Sequence, residues 1–134
     1  MNLRRDLVIL ACAVSAAGIH GALAPEHFAE SGAAGFGFVA STVLLAGLAI
    51  DLTRRPASTT AVAAAAVVLG GLLGSYALAA TTGLPLVHPE PEPIDGLALA
   101  TKAIEIVGLA AALTLLRRRP AAALPFVSAK GTST

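Results

Sequence analysis

Apolar residues fall along this chain in four long blocks, at about residues 7–24, 33–50, 61–80 and 97–116, and the short gaps between them together with the two tails hold nearly all of the charge, all of the proline and two of the three histidines. Each block is roughly 18 to 20 residues long, which at about 1.5 Å rise per residue matches a hydrocarbon core of about 30 Å. The blocks lack the two-residue alternation of a barrel strand, and lipid cannot satisfy exposed backbone groups, so the pattern predicts spanning helices. The expected fold is all-α: a four-helix transmembrane bundle over residues 1–120 and a flexible tail at 121–134. Stop signals sit in the gaps, with Pro25 and Ser31-Gly32 in the first and Arg54-Arg55-Pro56 in the second. The third gap holds Gly83, Pro85, Pro89, Pro91 and Pro93, a density of proline that predicts an extended strap over the bundle end.

The positions of the charges orient the bundle. Arg4, Arg5, Arg54, Arg55, Arg117, Arg118, Arg119 and Lys130 lie in the two tails and the second gap, where Asp6 and Asp51 are the acidic residues. Glu26, Glu30, Glu90, Glu92 and Asp95, with His20, His27 and His88, lie in or beside the first and third gaps. Lys and Arg near span ends are retained on the cytoplasmic side, so the expectation is a multi-pass protein of the cell membrane with both termini cytoplasmic. Composition agrees: 56% of residues are hydrophobic and 13% charged, against roughly a quarter charged in soluble domains. Arg4 and Arg5 followed by Ala22-Leu23-Ala24 also sketch a cleavable signal, but Pro25 would obstruct the cut, and the block reads as a retained span.

Candidate chemistry is confined to a few side chains. The one cysteine, Cys12, excludes an internal disulfide or a multi-cysteine metal site. No phosphate loop, nucleophilic triad or nucleic-acid motif is present, so neither an enzyme nor a nucleic-acid partner is expected. The expected partners are the lipid bilayer and either a second copy or a membrane complex. Lys102 and Glu105 are the ionisable residues inside a span, where such groups are costly and face the protein interior. Their i, i+3 spacing allows an ion pair, and Glu105, roughly 12 Å below Leu97 at helical rise, is a candidate proton carrier.

His20, His27 and His88 with nearby carboxylates form a candidate site for a divalent metal ion, provided that Pro25 breaks the first helix and lets Glu26 and His27 fold back. Tyr76 sits within reach of His20 or Glu105 in a bundle. Gly70 and Gly74 form a small-xxx-small pair suited to close helix packing, within the chain or between copies. The inner halves of the spans offer as polar groups Cys12, Ser15, Ser41, Thr42 and Thr114, a poor wire for ions.

The segments Gly18-Ile19-His20, Pro25-Glu26-His27-Phe28, Thr81-Thr82-Gly83-Leu84-Pro85 and Thr101-Lys102-Ala103-Ile104-Glu105 resemble those of a group of small four-span membrane proteins of high-GC Gram-positive type, to which no activity is attached. The resemblance implies that the ends of spans one, three and four share one site made of His20, Glu26, His27, Thr82, Gly83, Pro85, Lys102 and Glu105. This chain departs from that pattern at Ala80, where a basic residue is expected before the threonine. Together these readings lead to a non-enzymatic membrane protein whose outward His/Glu/Lys cluster binds a small polar ligand or metal ion, or docks a partner. The alternatives are a small proton- or ion-coupled transporter using Glu105 and a structural subunit of a membrane complex.

Overall fold

The computed structural model describes residues 2–84, 90–91 and 94–118. The chain forms a transmembrane bundle of four helical rods. The first rod is continuous over Leu3–Glu30 and has three parts: α1 (Leu3–Ala13), a π-helical segment (Val14–His20) and α2 (Gly21–Glu30). It is followed by α3 (Gly32–Arg54), α4 (Thr59–Thr82) and α5 (Gly96–Arg117), and all four rods are long and apolar enough to cross a membrane.

Each rod overruns the apolar block that predicted it, because capping residues rather than the last hydrophobic position end it. Ser31, with φ −155° and ψ 130°, leaves the helical region to close α2 and starts α3, its Oγ accepting from the Ala34 N–H at 3.5 Å. Ser58 accepts from Ala61 N–H at 3.1 Å and Asp95 from Ala98 N–H at 2.6 Å, each supplying an acceptor to an otherwise orphaned helical donor. Gly83, at φ 71°, ends α4 in a conformation that favours glycine.

Pro25 does not break the first rod; it lies within α2. The fold-back that would have gathered His20, Glu26 and His27 therefore does not occur. The histidines stay seven positions apart on one helical face, roughly 10 Å along the axis.

Inside the bundle, Val8, Cys12, Leu45, Leu52, Ala65, Leu69 and Ala112 form a packed apolar core. In lipid, packing rather than water exclusion holds helices together, so small residues at crossings matter most. Gly108 of α5 is one such position: a Cβ there would lie 2.5 Å from the Ala11 Cβ and 3.1 Å from Leu69 Cδ1. Gly35 of α3 likewise admits the ring of Phe28 from α2. Among the described residues the Gly70 and Gly74 pair makes no such contact, since an added Cβ at either would meet nothing within 4 Å. Large apolar side chains on the outer faces, including Phe36, Val43 and Val67, are exposed, as helices that meet lipid require.

Candidate functional site

Glu105 has no exposed surface and accepts three hydrogen bonds. Ser15 Oγ donates to Oε1 at 2.8 Å, His20 Nε2 lies 3.2 Å from the same oxygen, and Lys102 Nζ donates to Oε2 at 2.7 Å. Lys102 reaches it along one face of α5, as the i, i+3 spacing predicts. Ser15 and His20 reach it from the first rod through a local feature that helical periodicity does not reveal. In an α-helix two residues five apart point about 140° away from each other. The π-helical segment, built on i→i+5 hydrogen bonds, sets them one turn apart on the same side.

Aromatic rings pack around this cluster. The Lys102 ammonium lies 5.1 Å from the centroid of the Tyr76 ring, a cation–π distance. Phe38 of α3 packs against both imidazoles, with ring centroids 5.1 Å from His20 and 3.8 Å from His27. His27 Nδ1 meets Glu30 Oε2 at 3.1 Å. Two cavities meet at these groups and share His20, His27, Glu30, Phe38, Tyr76 and Lys102. The larger, of about 370 Å³, also reaches Glu26 and Asp95 at the end of the bundle. The smaller, of about 250 Å³, runs between α3 and α4. Where they meet, two buried polar atoms have no hydrogen-bond partner among the described residues: His20 Nδ1 and Tyr76 Oη.

Of the residues singled out in the sequence, His20, Tyr76, Lys102 and Glu105 converge, with His27 joined to them through Phe38 and Glu26 on the cavity wall. Thr82 does not join them: its hydroxyl bonds to the Leu78 and Gly83 carbonyls, each at 3.2 Å. Gly83 serves as the helix stop and lines neither cavity. Pro85, His88 and the tail 121–134 lie outside the described residues.

Among the described residues no three His, Cys, Asp or Glu side chains form a group that could hold a metal ion. The metal expectation rested on a break at Pro25, and with the rod intact His20 turns to Glu105 while His27 turns to Glu30. Ser15, assigned by sequence to a polar-poor inner half, instead bonds to the carboxylate, and Ser41 lines the smaller cavity. Phe38 was not singled out at all. Its signal was available only as an aromatic on the block facing the histidines.

The arrangement holds one carboxyl group away from water with three partners, one of them the Lys102 ammonium. It is not laid out for nucleophilic catalysis. Ser15 and His20 bond to the same carboxylate oxygen, so the imidazole is not placed to take the hydroxyl proton. Compared with protein-family models, with curated proteins and with solved structures, the chain matches none, so the site is interpreted from its own residues.

Proposed function

We propose that this is a small integral membrane protein with both termini cytoplasmic, whose Ser15, His20, Lys102 and Glu105 cluster floors an outward-facing binding site for a small polar ligand. The observation that carries this reading is the pair of unpartnered polar atoms, His20 Nδ1 and Tyr76 Oη, where the two cavities meet. A buried polar atom without a partner costs free energy on the order of 1–3 kcal/mol, and a ligand that bonds to it recovers that cost. The Glu105 network is complete without help, so it positions His20 rather than waiting for a ligand itself.

The chemistry below Glu105 supports a site open at one end over a conduit. Toward the arginine-bearing end the buried residues include Val8, Cys12, Leu52, Ala61 and Ala65, which offer no chain of oxygens or nitrogens for an ion to follow. The orientation rests on the segregation of arginine and acidic residues and is checked by accessibility of single cysteines placed in the two tails of intact cells.

The binding reading is tested by thermal unfolding of the protein in phosphatidylcholine nanodiscs against a panel of small amines, alcohols, carboxylates and sugars. Stabilisation by one class that is lost in His20→Gln and weakened in Tyr76→Phe is the expected result. If no class shifts the wild-type protein, the site is structural and the proposal fails.

A further inference from the structure

We infer that the ligand is an amphipathic ammonium compound, its N–H-bearing head at His20 and Tyr76 and its apolar chain in the groove between α3 and α4. This inference rests on the binding reading above and adds the chemical class. The head group follows from hydrogen-bond polarity. Lys102 already balances Glu105, so a neutral His20 that donates from Nε2 satisfies the network, and its Nδ1 is then an acceptor that needs a donor. His20 is only 6% exposed, and the cavity it faces is the route by which that donor arrives.

The sign of the charge follows from what is left over. With Lys102 and Glu105 cancelling, the carboxylates Glu26, Glu30 and Asp95 are the remaining charged groups on the larger cavity among the described residues, and they favour a cation along the approach. The chain follows from the shape of the smaller cavity. Ala34, Gly37 and Ser41 on α3 and Leu72, Ser75 and Ala79 on α4 line it, each trio at seven-residue helical spacing on one face. The small side chains among them, with Leu72, leave a mainly apolar trough that joins the polar chamber at Tyr76 and Lys102.

The test is binding to wild-type protein in phosphatidylcholine nanodiscs of four matched probes: hexylammonium, hexyltrimethylammonium, hexan-1-ol and hexanoate. Hexylammonium should bind about tenfold or more tightly than each of the others, since the trimethyl analogue keeps the charge and loses the donor. Tyr76→Phe should weaken hexylammonium while the circular dichroism is unchanged. Gly37→Leu tests the trough: an added Cβ at Gly37 meets nothing within 4 Å, so the backbone tolerates the change while the new side chain fills the groove. In that variant hexylammonium should bind no better than methylammonium.

Replacing half of the lipid by phosphatidylethanolamine identifies the source of the head group. Loss of hexylammonium binding supports a membrane lipid as the occupant, and retention supports a free amine. If hexan-1-ol or hexanoate binds as well as hexylammonium, the ammonium assignment falls while the binding reading stands. If no probe of any class binds to folded protein, both fall.

Discussion

At the arginine-bearing end the interior is filled by Val8, Cys12, Leu52, Ala61 and Ala65, none more than 4% exposed, whereas from mid-depth toward the acidic end Ser15, His20, Thr101 and Glu105 occupy interior positions. The first region is held by close approach of small and aliphatic side chains, the second by charge-assisted hydrogen bonds that gain strength in a low dielectric. Both are buried, but they fail differently. Removing a methyl group from the first leaves a void, while removing one partner from the second leaves a charge. The polar region also carries the cavities of about 370 and 250 Å³, against one of about 150 Å³ beside Arg5 at the other end.

The contrast is broken most severely at Glu105. Glu105→Leu strands the Lys102 ammonium and should cost about 3–5 kcal/mol of stability by denaturant unfolding in detergent, whereas Glu105→Leu with Lys102→Met should recover most of it. Equal losses in the single and double variants would show that a stranded ammonium is not what destabilises this end. Leu45→Ala, at a fully buried site in the apolar core, should cost about 2–3 kcal/mol and leave ligand binding unaltered. A change in affinity there would show that the two regions are coupled.

Gly108→Val pushes a branched side chain against Ala11 and Leu69 and should cost about 1–3 kcal/mol, measured in the same unfolding assay. Ser15→Ala should cost less, about 1–2 kcal/mol, because His20 and Lys102 still hold the carboxylate. Gly70→Leu should stay within about 0.5 kcal/mol, since among the described residues nothing lies within 4 Å of a Cβ added there. A large loss at Gly70 would sharpen the comparison by placing a further contact surface on α4.

The bundle was legible because hydropathy reports a local quantity, the solvent each residue prefers, and four blocks of spanning length leave one architecture. The Lys102 and Glu105 pair was legible for the same reason, being two residues on one helix at fixed spacing. The rest of the site was not. The resemblance implied that Thr82 and Gly83 belong to the site, but the Thr82 hydroxyl turns back to the Leu78 and Gly83 carbonyls and Gly83 ends the helix, because a threonine hydroxyl near a helix end can bond to its own backbone. The histidines looked like metal ligands on the assumption that proline ends a helix. Here the helix runs through Pro25 and ends at Ser31.

By itself, then, the sequence determined the number of spans, the charge asymmetry between the two ends and the presence of one buried carboxylate with its own cation. Tertiary structure decided which groups from other helices meet that carboxylate. Side-chain direction advances about 100° with each α-helical residue, and the π-helical segment Val14–His20 changes that advance part-way down the first rod. Which face of one rod meets another depends on that accumulated rotation and on packing at Gly108 and Gly35, quantities spread over the whole bundle and absent from any single block.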